Sequence, residues 1–196
     1  IEWLGSKTAE RYPLHMLSDQ PTDKLHSQLD HSPHSRATKI KGRQPITLHP
    51  VDATARGIAA GDLVRVFNDR GACLAAARLS DRIRRGVVRL STGAWFDPSD
   101  SGSNRPLEKH GNPNALTLDI GASKLSQGCI AQTCLVEIER FDGPAPAVTA
   151  HTLPVFEAPT WVMKTLVGLL ALGFVPALVF SWVFELTPDG VKRDED

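Results

Sequence analysis

The sequence has 196 residues, room for one domain of ordinary size and an appendage. Its 22 Lys+Arg and 22 Asp+Glu cancel, and with no clustered basic face the chain excludes nucleic acid as a partner. Three cysteines, Cys73, Cys129 and Cys134, stand at unrelated spacings, which excludes a disulfide framework and a four-thiolate zinc site.

Residues 1–11 read as the end of a preceding domain or a linker. The first ten lack the basic and apolar regions of a secretory signal, and a start at Ile1 suggests a piece of something longer. Tyr12–Gln28 (YPLHMLSDQPTDKLHSQ) opens as an extended apolar segment and runs into Ser18-Asp19-Gln20-Pro21, which is turn chemistry. Lys24-Leu25-His26-Ser27-Gln28 adds a second dense block of donors and acceptors. Polar groups at the exit of a buried strand suit a large, polar, anionic ligand; on spacing alone they would as readily cap turns. Residues 29–45 lack any period and read as a surface loop. The spacing of His26, His31 and His34 fits no common zinc pattern.

A short strand is expected over Pro45–Leu48, then one or two helical turns over Pro50–Arg56, closed by Gly57. Leu63–Phe67 and Ala72–Leu79 read as a hairpin around Asn68-Asp69-Arg70-Gly71, with Gly71 suited to a positive φ. Asp81–Arg85 (DRIRR) reads as an exposed turn and Val87–Leu90 as a strand. Residues 97–114 read as a long loop, and Cys134–Phe141 alternates like a half-buried strand. Many short strands with turn signals between them argue for a sandwich or a barrel, and periodicity does not choose between the two.

Residues 143–160 are Pro-rich and read as a semi-extended linker. Thr165–Phe184 gives 20 residues without a charge, a helix of about 30 Å, the thickness of a bilayer core. Trp161 and Trp182 sit near its ends, where indoles favour the interface. A membrane span over 161–184 is therefore expected, with a buried hairpin or core helix as the other reading, followed by a polar acidic tail over 185–196. Lys164 at one end and Lys192 and Arg193 at the other leave its orientation open.

Five blocks occur in one order: Tyr12–Gln28, Asp62–Gly71 (DLVRVFNDRG), Ser91–Pro98 (STGAWFDP), Gly111–Thr117 (GNPNALT) and Asp119–Gly128 (DIGASKLSQG). Over about residues 1–145 the chain thereby resembles the C-terminal molybdopterin guanine dinucleotide-binding domain of the dimethyl sulfoxide, trimethylamine N-oxide and biotin sulfoxide reductase family. The resemblance implies a mainly β fold, a six-stranded double-psi β-barrel (aspartate-decarboxylase-like) over 12–142 with short helices. It also implies a molybdenum bis(molybdopterin guanine dinucleotide) cofactor, oxygen-atom transfer from a sulfoxide or N-oxide, and upstream reductase domains that carry the metal ligand and the substrate funnel. The chain alone would bind cofactor without turning over.

Carried over by motif, His15, Leu17, Ser18 and Gln20 approach the pterin and pyrophosphate from the first block, and His26, Ser27 and Gln28 from the second. Asn114 reads the pterin edge and Gln127 is a second distal contact. Phe96 stands where the family more often has Tyr, which removes a hydroxyl. With the lipid bilayer as a further partner, the barrel is expected on the cytoplasmic face of a bacterial inner membrane. Competing readings are a membrane-tethered barrel acting as a non-catalytic interaction module, and a chimeric gene product.

Overall fold

The computed structural model describes residues 2–99, 104–130, 132–150, 165, 167–170, 172–174, 184–187 and 190–193. The chain forms two compact units, Ile1–His151 and Thr152–Asp196.

In the first unit six strands close into a barrel: β1 (Leu14–Leu17), β2 (Pro45–Leu48), β3 (Leu63–Phe67), β4 (Ala72–Leu79), β5 (Val87–Leu90) and β6 (Thr133–Arg140). Their order around the barrel is β1-β5-β2-β4-β3-β6. β1 lies parallel to β5 and β2 parallel to β4, and the other neighbours are antiparallel. Of the consecutive strands only β3 and β4 are neighbours in the barrel, so the other connections must pass over its ends, and the long ones after β1 and after β5 build the site. Short helices α1 (Thr8–Arg11), α2 (Pro33–Thr38) and α3 (Pro50–Thr54) decorate it.

Alternation sends one face of each strand inward: Leu14 and Met16 from β1, Ile46 and Leu48 from β2, Val64 and Val66 from β3. β5 and β6 add Val88, Leu90, Val136 and Ile138. β4 departs from alternation, because Cys73, Leu74, Ala75 and Ala76 are all fully buried. Small residues there let it be covered on both faces. Burial pushes the Cys134 thiol up to about 12 and the Cys73 thiol well above its ordinary value, so both act as packing groups.

The hairpin between β3 and β4 forms at Asn68–Gly71, with Asn68 N–H donating to the Gly71 carbonyl at 3.1 Å. Gly71 does not have the expected positive φ. It is needed for space, since a Cβ there would lie 2.7 Å from the Ala115 carbonyl oxygen. The Asn68 amide donates to the carbonyls of Leu116 (2.9 Å) and Leu135 (3.0 Å), and Arg70 Nε also reaches Leu116 O at 2.6 Å. The turn thus grips the chain just after Asn114.

Three segments differ from the sequence reading. Residues 29–45 are not a plain surface loop: they hold α2 and the buried Asp30, Ser35, Arg43 and Gln44. Residues 97–114 contribute Glu108 and His110, both with no solvent exposure, to the interior. The compact first unit also takes in Glu2, whose carboxylate pairs with Arg70 at 2.7 and 3.0 Å and accepts the Leu135 N–H at 3.0 Å, so part of residues 1–11 belongs with the barrel.

In the second unit Thr165 and residues 167–170 and 172–174 are helical. β7 (Phe184–Thr187) pairs antiparallel with β8 (Gly190–Arg193). Much of the span expected over 161–184 and of the linker over 143–160 lies outside the described residues. Among the described residues no helix is long and apolar enough to cross a membrane. Phe184, expected to end the span, lies in a strand, and the stretch read as a polar tail carries a hairpin.

Gly71→Ala should lower the unfolding free energy by about 1–3 kcal/mol, because the new methyl meets a backbone carbonyl that is itself pinned. Urea unfolding of the chain measures this, and an unchanged midpoint would refute the close approach.

Candidate functional site

Parallel β1 and β5 both leave the barrel at one end, and antiparallel β6 enters there. Three chain segments therefore meet at that end. Ser18 N–H donates to the Gln132 carbonyl (2.8 Å) and Thr92 N–H to the Asp19 carbonyl (2.9 Å), which stitches the segments together. They form a cavity of about 230 Å³ lined by Ser18, Asp19, Gln20, His26, Thr92, Asn114 and Gln132.

The chemistry of the lining is hydrogen bonding by hydroxyl, amide and imidazole groups. The one carboxylate, Asp19, is occupied by Ser91 Oγ at 2.8 Å and Arg89 Nε at 2.9 Å. Gln20 donates its amide to the Lys24 carbonyl at 2.7 Å. Among the described residues the side chains of Ser18, His26, Thr92, Asn114 and Gln132 have no hydrogen-bond partner in the protein. Five polar tips without partners around one cavity are what a polar ligand needs, since each can bond it at no loss of an internal bond.

Each wall is held from behind. On the first wall the chain turns sharply at His26, which has φ 50°. Gly93 passes so close that a Cβ on it would clash with the His26 carbonyl. Beneath lies a buried ionic cluster: Lys24 Nζ donates to Asp30 Oδ1 (2.8 Å) and Gln44 Oε1 (2.8 Å), and Lys39 Nζ donates to the same Asp30 oxygen at 2.8 Å. The other Asp30 oxygen accepts the Trp95 N–H at 3.1 Å. Burial alone would push the Asp30 carboxyl up, but the hydrogen bonds from Lys24 and Lys39 outweigh it and hold it well below the usual carboxylate range. Burial pulls Lys39 down, against the attraction of Asp30.

The second wall is the turn Asn112–Asn114, where Asn112 Oδ1 accepts the Asn114 N–H at 2.9 Å. It is fixed by Glu108, whose carboxylate accepts the N–H groups of His110 (2.9 Å), Gly111 (2.7 Å), Asn112 (2.7 Å) and Asp97 (3.2 Å). Burial pushes Glu108 up, and the four backbone donors pull the other way without cancelling it.

The structure thus brings together Ser18, Gln20, His26 and Asn114 of the residues singled out from sequence. His15 and Leu17 lie on β1 outside the cavity lining, with the His15 ring against the Thr133 hydroxyl and Leu17 exposed. Ser27 contributes its carbonyl, which accepts the Trp95 indole N–H at 2.6 Å, so Trp95 serves to pin the loop. Gln28 closes a turn onto the Leu25 carbonyl at 2.9 Å. Gln127 sits on a separate exposed loop and donates to the Ser123 carbonyl at 3.0 Å. Thr92 and Gln132 escape sequence reasoning, because nothing local marks them; pairing at the barrel end puts them there.

Residues 14–135 match the sequence profile of a family described as the molydopterin dinucleotide binding domain. Trimethylamine-N-oxide reductase of Salmonella typhimurium (strain LT2) is 50% identical over 152 residues, 77% of this chain and 18% of that one. Biotin sulfoxide reductase of Cereibacter sphaeroides is 51% identical over 144 residues, 74% of this chain and 19% of that one. Dimethyl sulfoxide/trimethylamine N-oxide reductase of Rhodobacter capsulatus is 44% identical over 144 residues, covering 74% and 18%. Among solved structures, acetylene hydratase from Pelobacter acetylenicus shares the fold, with a TM-score of 0.55 at 16% identity over 72% of this chain and 21% of that one. The chain spans about a fifth of the length of the curated relatives it matches.

Asp30→Asn would leave two buried ammonium groups without their counter-charge. It should lower the unfolding free energy by about 3–5 kcal/mol in urea at neutral pH. The folded carboxyl titrates below its ordinary value of 3.8, so its stabilisation is fully present above about pH 4 and is lost as pH falls through the folded value. Wild-type stability should therefore drop in that acid interval by a component that the variant lacks, as unfolding at a series of pH values would show.

Proposed function

Because the chain belongs to the molydopterin dinucleotide binding domain family, we propose that it holds one end of a molybdenum bis(molybdopterin guanine dinucleotide) cofactor in a sulfoxide or N-oxide reductase about four times its length. The cavity supports this most directly, with its unpaired tips of Ser18, His26, Thr92, Asn114 and Gln132. A pterin edge and a pyrophosphate demand many directional hydrogen bonds in a partly dry site, and hydroxyl, amide and imidazole groups supply both donors and acceptors. A cavity of 230 Å³ suits one part of a dinucleotide, so the donor set and the size both fit a shared grip on the group.

In this reading Ser18, Gln20, His26 and Asn114 make direct contacts, while His15, Leu17, Ser27 and Gln28 flank them and Gln127 adds a contact from its own loop. When bound, the metal centre supplies oxygen-atom transfer and the two-electron chemistry that accompanies it. The chain's share is orientation: the Asp30 and Glu108 clusters keep the two walls in register so that the ligand meets preformed donors. The metal ligand and substrate funnel come from the remainder of the longer protein. The two parallel strand pairs with crossing connections support a double-psi description of the barrel. The uncharged run Thr165–Phe184 supports a membrane anchor.

His26→Ala and Asn114→Ala in the full-length protein should each cut bound pterin several-fold, as expected for one lost hydrogen bond of about 1 kcal/mol or more. The melting temperature without cofactor should stay within experimental error. Pterin fluorescence after oxidation, against protein concentration, reads the occupancy. Full occupancy in both variants would overturn the contacts assigned to His26 and Asn114, and a wild type without pterin would favour a barrel that serves as an interaction module.

A further inference from the structure

The chain does not leave the barrel freely after β6. The Pro146 carbonyl accepts from the Arg43 guanidinium. Thr149 donates its N–H to one oxygen of Asp97 at 2.6 Å and its hydroxyl to the other at 2.6 Å. Lys109 Nζ stands 3.2 Å from the Thr149 hydroxyl and 3.2 Å from Asp97.

Thr149 is exposed, yet the groups it and Pro146 satisfy are not: Asp97 is 4% exposed and Arg43 3%. Arg43 Nε already lacks a partner. Without this segment, among the described residues the Asp97 carboxylate would keep only Lys109, and Arg43 only the Lys41 carbonyl. A buried charge that loses its donors costs more than the bonds themselves were worth, so the segment and Asp97 hold each other in place.

Asp97 in turn touches the second cavity wall. Its N–H donates to Glu108 Oε1 at 3.2 Å and its carbonyl accepts the Lys109 N–H at 2.8 Å. Glu108 binds the amides of residues 110–112, and Asn112 orients Asn114. We propose that residues 146–149 are a latch on this wall and that Thr149 is a positioning residue for Asn114, acting through Asp97 and Glu108. Release of the latch loosens the Asn114 turn while leaving the barrel strands intact. The consequence for cofactor rests on the reading above, whereas the latch itself does not.

Amide hydrogen exchange on the full 196-residue chain, without cofactor, tests the latch. Thr149→Val should speed exchange of the His110, Gly111 and Asn112 amides by roughly tenfold, leave β1 and β5 amides unchanged, and be rescued by Thr149→Ser. Unchanged rates at 110–112, or equal acceleration in the strands, would overturn it. In the full-length holoprotein Thr149→Val should also release pterin several-fold faster, with Thr149→Ser restoring the wild-type rate. A wild type that holds no pterin would refute the cofactor reading, and the exchange rates would still decide the latch.

Discussion

Asp30 has no solvent exposure, yet its carboxylate remains charged because two lysine ammonium groups and the Trp95 N–H converge on it. Removing a carboxylate and two ammonium groups from water costs several kcal/mol per ion. The arrangement persists only while all of the partners stay in place. It therefore ties together chain segments that local structure would leave independent: Lys24 from the loop after β1, Lys39 from the end of α2, Gln44 at the entry to β2, and Trp95 after β5. His26, two residues from Lys24, inherits its position from this cluster.

Glu108 performs a related task by different means. It gathers four backbone N–H groups where Asp30 gathers cations, and so shapes a turn instead of joining elements. The segment Gly93–Asp97 links the two. Trp95 N–H reaches Asp30, Trp95 carbonyl meets His110 Nδ1 at 2.9 Å, and Asp97 N–H reaches Glu108. Five residues of backbone thus connect the two walls. Such over-determined polar networks rigidify a site when fully satisfied, which suits a surface that must meet a large ligand with many donors already aimed.

The cavity itself carries little charge of its own. Arg89 and Ser91 occupy Asp19, and the remaining lining groups are hydroxyl, amide and imidazole. The charged clusters sit one layer behind, where they fix geometry without competing for the ligand. The closed barrel makes this possible by removing sheet edges and by delivering β1, β5 and β6 to one end.

Short-range chemistry in the sequence was enough to place the strands, because alternation, turn residues and glycine breaks act over a few positions. Pro45–Leu48, Leu63–Phe67, Ala72–Leu79 and Val87–Leu90 lie where the pattern puts them, and Cys134–Phe141 is displaced by one residue to Thr133–Arg140. The polar blocks around Ser18, His26 and Asn114 were legible for the same reason, as dense donors beside turn signals. Periodicity left sandwich and barrel open and the family resemblance supplied the closed barrel, whereas the entry of Thr92 and Gln132 into the cavity and the burial of Asp30 and Glu108 were decided only by tertiary structure. Those features depend on partners far apart along the chain, such as Asp97 with Thr149, and a carboxylate in an aperiodic loop carries no local mark of whether water or four amides will surround it.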